Sequence, residues 1–409
     1  MTKYEIKKVF SKKSSKIAII ILLFVMGITC FFAMDVEYVD ENGHSQSGIS
    51  EVAKLRAAQK EWAGLLDEDK IRSVIAENLR IRNTPEALSQ NVSQRDIAYG
   101  WRQGINGIRD LLNYFYAKDF REYDYYRADS LTEDDAPYFY ENRILLLKEW
   151  LYSNEIKDKY TEAEKEYLIN QYTALETPFY YDYIIGWQQL FEYTPTIIML
   201  TMLIASYLVA GIFSNEFTWK SDALFFSSIY GRNKAVSAKV KAGFCIVTVI
   251  YFAAYLLYTG IVLLYLGADG FNLPVQVNAY SWKCFYNITN IQKYLVILFG
   301  GYIGCLFFSF LTMFVSAKTK STVLAVMVPV ILLFIPSFTS NIKSPVISKI
   351  LGLLPDQMLD INIAFGYFNL YNIGGKIFGE VPVIITLYTI LTIILIPALY
   401  YTYKRTQIN

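Results

Sequence analysis

Six apolar stretches, each reaching the roughly 20 residues needed to cross about 30 Å of hydrocarbon, leave this chain few ways to fold. They fall at Lys16–Met34, Thr194–Ser214, Val240–Leu266, Lys293–Ser316, Ser321–Phe338 and Val381–Tyr403. Inside a bilayer every backbone N–H and C=O must find a partner within the protein, so runs of this kind are expected to be helices. With 54% hydrophobic residues, the whole reads as an all-α membrane protein with six transmembrane helices. Pro329 and Pro336 in the fifth stretch, and Pro382 and Pro397 in the sixth, predict kinks in a packed bundle. The first stretch follows a lysine-rich leader, as a signal peptide would. Its apolar run is too long for that, and no small-residue cleavage site follows Met34, so it is expected to stay as an anchor.

Charge gives the stretches a direction. Residues 35–192 carry 30 Asp+Glu against 18 Lys+Arg, and the rest of the chain carries 7 against 20. The basic excess gathers in the leader, in 215–239, around Lys318 and Lys320, and at Lys404 and Arg405. Six alternating spans put those four places on one side, which the positive-inside rule makes the cytoplasm. The expectation is a multi-pass protein of the bacterial plasma membrane with both termini cytoplasmic. Its organisation would be a leader over 1–16, a first span over 17–34, an extracellular domain over 35–192, and the five remaining spans over 193–409.

The 35–192 insertion reads as mainly helical. Ile97, Trp101, Ile105, Ile108, Leu112 and Phe115 recur at spacings of three or four, as one face of an amphipathic helix requires. Thr84-Pro85-Glu86 and Thr161-x-x-Glu164 supply helix-start signals. Ile144–Leu147 with Trp150 and Leu151 gives another buried helix. The tyrosines at 123, 125 and 126 are expected in its core, with a peptide-contact face as the alternative. Those at 180, 181 and 183, with Trp187, stand at the mouth of the second span as an aromatic belt. Two later outer segments, 267–292 and 339–380, are too polar to span, and the second is expected to form short helices at or dipping into the interface.

Chemistry-bearing patterns are scarce. A single histidine, His44, excludes a Ser-His-Asp hydrolase or a multi-histidine metal site. The cysteines Cys30, Cys245, Cys284 and Cys305 show no ligand spacing. Gly374-Gly375-Lys376 lacks the first glycine and the Ser or Thr of a phosphate loop, so the sequence offers no ATPase site of its own. Neither enzymatic activity nor a metal, a cofactor or a nucleic-acid partner is expected. Charge is nearly missing from the spans, which argues against a proton or ion relay. Gly300-Gly301-x-x-Gly304 supplies a small-residue face where another helix can approach closely.

One segment stands out. Residues 215–239 form a connector far longer than the 2–8 residues that helix connections usually take, and it mixes apolar residues with Glu216, Arg232 and Lys239. In layout and in this segment the chain resembles ABC-2 class permeases, the membrane subunits of bacterial ATP-binding-cassette exporters. The matching residues are Glu216 just after the second span, the Ser227-Ser228-Ile229-Tyr230-Gly231-Arg232 element, and Lys239 at the next span. The lysine-rich leader is similar to the family's amphipathic elbow helix. The resemblance covers the leader and residues from about 190 onward. It departs at the large outer insertion and at Gly231, where many members have proline or serine.

The resemblance implies a permease that pairs with a second permease subunit, identical or homologous, and with separate ABC ATPase subunits, surrounded by membrane lipid. It implies that 215–239 couples to the ATPase. The apolar residues there (Trp219, Leu224, Phe225, Phe226) would be knobs, Glu216 and Arg232 would fix register, and Lys239 would belong to the same coupling set. The acidic outer domain suggests an amphipathic or cationic peptide as substrate, with a lipid or drug open. A different class of function fits the same layout: a membrane-anchored extracellular sensor or scaffold without transport activity.

Overall fold

A computed structural model of the chain describes residues 1–335 and 345–406. In chain order the helices begin with α1 (Thr2–Phe10) and α2 (Lys13–Met34). A short antiparallel pair, β1 (Glu37–Val39) and β2 (Ser45–Ser47), precedes α3 (Ile49–Lys60), β3 (Gly64–Leu65), α4 (Glu68–Arg82), α5 (Pro85–Leu88), α6 (Val92–Arg102), α7 (Asn106–Phe115), α8 (Phe139–Tyr152), α9 (Glu162–Thr173) and β4 (Tyr180–Tyr181). The long helix α10 (Ile185–Thr218) leads to the short α11 (Asp222–Ser227), then to α12 (Val236–Leu266), α13 (Asn290–Thr319) and α14 (Thr322–Phe334). The chain closes with α15 (Pro345–Leu351), α16 (Ile361–Ala364), the hairpin β5 (Leu370–Ile373) and β6 (Lys376–Gly379), and α17 (Glu380–Lys404).

The chain is mostly helical, and among the described residues five helices are long and apolar enough to cross a membrane: α2, α10, α12 with the turn before it, α13 and α17. The fifth expected span is described only in part. Its helix α14 covers 13 residues, and the remainder, including Pro336 and Phe338, lies outside the described residues. At about 1.5 Å per residue, α14 alone is too short to span. Pro329 lies inside α14 and Pro397 inside α17, in helices that continue through them.

α10 and α13 form the enclosed centre of the bundle, with α2, α12, α14 and α17 packed around them. The peripheral helices leave large apolar side chains uncovered, such as Ile20, Phe24 and Phe31 on α2 and Ile390, Ile393 and Ile394 on α17. Outward-facing apolar surface of this extent suits a lipid solvent. The small-residue face of α13 is used inside the chain. A Cβ on Gly304 would stand 2.9 Å from the Cβ of Met358, and one on Gly300 would collide with Ile361. Met358, Ile361 and Ala364 are buried in the bundle core, so the stretch from Pro355 to Ala364 dips into the helices.

The 35–192 insertion is helical with two small strand pairs. Its expected single helix through Ile97 and Phe115 is two helices, α6 and α7. They break at Gly104, where a Cβ would lie 2.9 Å from the Ala58 carbonyl and 3.0 Å from the Trp62 ring. Ile105, Ile108, Leu112 and Phe115 are buried, whereas Trp101 is exposed. The capping box at Thr161 and Glu164 forms, with both reciprocal bonds present. The expected core tyrosines 123, 125 and 126 are at the surface instead; Tyr123 hands its hydroxyl to Asp110 at 2.7 Å. Tyr181 and Tyr183 are buried and do not form an exposed belt. The Tyr183 hydroxyl donates to the Leu266 carbonyl at 2.8 Å, and Trp187 Nε1 donates to the Ala268 carbonyl at 3.2 Å.

The insertion's core is completed from outside it. Trp282 and Phe368 stack among Phe120, Trp150 and Phe115 at ring-centre distances of 5.1–5.7 Å, and buried Val277, Phe285 and Leu370 join the same cluster. Asp269 clamps the same junction, taking Arg56 at 2.5 Å and Lys60 at 2.7 Å. Burial pushes the Asp269 carboxyl up, but the bonds from Lys60 and Arg56 outweigh it and hold it below the ordinary value. A depressed folded pKa means the clamp is fully present at neutral pH and is lost as pH falls below the ordinary carboxylate range. The protection of the α3 amides against hydrogen exchange, taken relative to the intrinsic rate at each pH, is expected to fall on acidification in the natural chain. In Asp269→Asn that protection should already be low at pH 7 and show no such step.

Candidate functional site

The end of the bundle that carries α1, the 215–239 connector and the tail of α17 is organised around Glu216. The final turn of α10 buries Ser214, Asn215 and Glu216, and a carboxylate in that setting must be met by cations or donors. Three side chains from three other helices supply them. Lys8 of α1 reaches Glu216 Oε1 at 2.6 Å, Lys239 of α12 reaches the same oxygen at 2.9 Å, and the Tyr403 hydroxyl of α17 donates to Oε2 at 3.4 Å. Lys239 is wholly buried and also donates to Glu5 at 3.1 Å and to the Ile212 carbonyl at 2.7 Å. A second link joins Lys12 to Asn215 Oδ1 at 3.1 Å. The ionic knot ties four helices together at one level.

Aromatic packing seals it. The Tyr403 ring lies 4.8 Å from Phe213, 5.1 Å from Phe226 and 5.9 Å from Phe225, and Lys239 Nζ stands 5.3 Å from the Phe225 ring centre. Excluding water in this way strengthens the attraction between the charges it encloses.

The connector is then shaped by its backbone. Lys220 adopts a left-handed conformation at φ 54°, which ends α10 as glycine more often does. The Ser221 N–H closes back on the Glu216 carbonyl at 2.8 Å. α11 follows, and a single wide turn over Gly231–Ala235 runs into α12. The fold explains the glycine at 231. A Cβ there would collide with the Phe225 carbonyl and sit 2.8 Å from Ser228 Oγ. Because the first obstacle is backbone, Gly231→Ser is expected to cost about 1–3 kcal/mol through displacement of α11. Limited proteolysis checks this: cleavage within 219–235 should quicken in the variant, and an unchanged cleavage rate would contradict the steric account.

The structure sorts the expected coupling residues into two groups. Glu216, Lys239 and Phe226 are buried, and Phe225 packs against the bundle core. Arg232 is committed as well: its guanidinium donates to the Lys404 carbonyl at 2.9 Å and the Thr406 carbonyl at 3.0 Å, and it lies 5.0 Å from the Phe226 ring. These residues brace the connector from within. Trp219 (52% exposed) and Leu224 (78%) face outward, joined by Ile229 (90%) and Tyr230 (49%). Lys8 lies over the Trp219 ring at 4.7 Å, so the exposed indole is anchored at one edge.

Sequence reasoning did not single out Lys8, Glu5 and Tyr403 in the knot, nor Ile229 and Tyr230 as exposed apolar residues. A sequence signal for the first set exists: a lone glutamate in the last turn of an apolar span requires a cation, and the leader is the richest source. No known protein family, curated protein or solved structure matches this chain.

Proposed function

We propose that this protein is the membrane subunit of an exporter driven by separate ATP-hydrolysing subunits, and that the 219–230 surface is where the ATPase docks. The observation that carries the reading is the pairing of an exposed apolar strip with a rigid mount. Trp219, Leu224, Ile229 and Tyr230 lie within a dozen residues, on a connector fixed to α1, α10, α12 and α17 through Glu216, Lys239 and Arg232. Exposed aromatic and aliphatic anchors around a polar rim are what a protein interface needs. A mount tied to four helices would pass a push on α11 to the bundle as a rigid-body movement.

The side of the membrane follows from charge. On this reading the basic end, with α1, the connector and Lys404, is cytoplasmic, and the 35–192 domain lies outside. The chain works as a pair with itself or with a related permease, moving an amphipathic substrate. The competing reading, an anchored outer sensor, has no use for an apolar strip at the opposite end of the bundle.

Affinity purification of the tagged full chain from its own membranes, followed by mass spectrometry, tests the assignment. The expected result is a co-purifying ATPase with Walker motifs in an amount comparable to the chain. Recovery of the chain without any such ATPase, under conditions that keep the chain folded, would favour the sensor.

A further inference from the structure

At the other end of the bundle a cleft of about 590 Å³ opens between the helical domain and residues 348–369. Its walls bring together Arg121, Lys159 and Lys283, from three separate parts of the chain, and among the described residues contain no Asp or Glu. That is unexpected in composition alone, since residues 35–192 carry 30 acidic side chains against 18 basic ones. None of the three cations has a salt bridge or a side-chain hydrogen bond among the described residues, and residues 336–344 contain neither Asp nor Glu. Their contacts are aromatic: Arg121 lies 4.5 Å from the Trp150 ring, Lys283 5.4 Å from Trp282, and Lys159 5.7 Å from Tyr160. The nearby Lys349, by contrast, is satisfied by Glu164 at 2.6 Å.

We infer that this cleft is an anion site in which Arg121, Lys159 and Lys283 together hold a phosphate-type group. Like charges gathered at a half-buried place repel one another, and among the described residues no carboxylate forms a salt bridge with any of the three; Glu380 and Asp356 stand behind the lining, bonded to Asn369 and Gln357. Burial, together with the neighbouring Arg121, pulls the pKa of both Lys159 and Lys283 below the ordinary lysine value. Three converging cations exceed what one carboxylate neutralises, and they suit a phosphomonoester, which carries close to two charges at neutral pH. A planar guanidinium beside two ammonium groups offers donors to several oxygens of such a group. Phe120, Phe368 and Leu351 line the same cleft, as does Gln357 of the Pro355–Ala364 stretch that enters the bundle. The phosphate can therefore come from a lipid headgroup or from free phosphate. The inference is independent of the exporter reading, since it concerns the opposite end of the bundle.

Calorimetric titration of the detergent-solubilised full chain tests it with three probes: dioctanoyl phosphatidic acid, inorganic phosphate, and zwitterionic dioctanoyl phosphatidylcholine. Saturable binding of phosphatidic acid or of phosphate is expected, with phosphatidylcholine at least tenfold weaker. Phosphatidic acid at least tenfold tighter than phosphate assigns the lipid source, and equal affinities assign free phosphate. Lys159→Gln should lower affinity about tenfold, and the triple change R121Q/K159Q/K283Q should abolish binding. The matched removal of three surface cations elsewhere, K54Q/R72Q/R80Q, should leave affinity within about twofold. Lys159→Gln alone keeps the test sound if the triple variant unfolds. Binding unchanged in Lys159→Gln, binding lost equally in the matched variant, or no binding of either anion would overturn the inference.

Discussion

Replacing Glu216 with alanine is expected to destabilise the leader end of the bundle by about 3–5 kcal/mol, because it leaves Lys239 charged, enclosed and without its nearest carboxylate. Lys239 is wholly buried, and its other partners are Glu5 at 3.1 Å and the Ile212 carbonyl at 2.7 Å. The loss also frees Lys8, and with it the tie between α1 and α10. Insertion of the spans depends on their apolar runs and should be unaffected. The measurement is thermal unfolding of the solubilised chain, read as a double-mutant cycle with Lys239→Met. Each single change should be severe, and the double change should cost clearly less than their sum, since it removes both charges together. Additive losses would mean that the two residues act separately and that the knot is not a unit.

The second large effect is functional and leaves the fold alone. Leu224 is 78% exposed, so Leu224→Asp should change stability by no more than about 0.5 kcal/mol. If α11 inserts into a groove of the ATPase, the same change places a charge at the centre of a desolvated contact. A central anchor of that kind is worth about 2 kcal/mol, or roughly thirtyfold in the stimulation of ATP hydrolysis by the permease. Trp219→Ala should act in the same direction but less cleanly, because Trp219 also carries the Lys8 contact. Stimulated hydrolysis measured on the reconstituted complex checks both. A full rate in Leu224→Asp would remove α11 from the interface.

These two substitutions also mark what could be read from the chain and what could not. The apolar runs announce the long helices directly, since each one's character is contained in its own residues. The connector was visible for the same reason, as a polar interruption of unusual length. The division of its residues into a brace and a surface was not visible. Glu216 is held by Lys8, from 208 positions away, and by Tyr403, from 187, and no local pattern encodes such pairs.

The same limit explains the tyrosines at 123, 125 and 126. The place expected for them in the domain's core is filled by Trp282 and Phe368 from distant segments. The regular spacing from Ile97 to Phe115 carries no sign of the break at Gly104, where the Ala58 carbonyl and Trp62, both distant in sequence, come close. The cationic cleft is likewise assembled from positions 121, 159 and 283, so the acidic balance of 35–192 concealed it.

The central claim is contact between the 219–230 surface and an ATPase, and site-specific photo-crosslinking measures it directly. A benzophenone side chain placed at Leu224 or Ile229 in the full chain should, on illumination in native membranes, capture a protein with Walker motifs. The same group at Leu264, which is 89% exposed near the opposite end of α12, should capture none. Capture of the ATPase from Leu224 and Ile229 alone is the predicted result; its absence there, or equal capture from Leu264, would contradict the account.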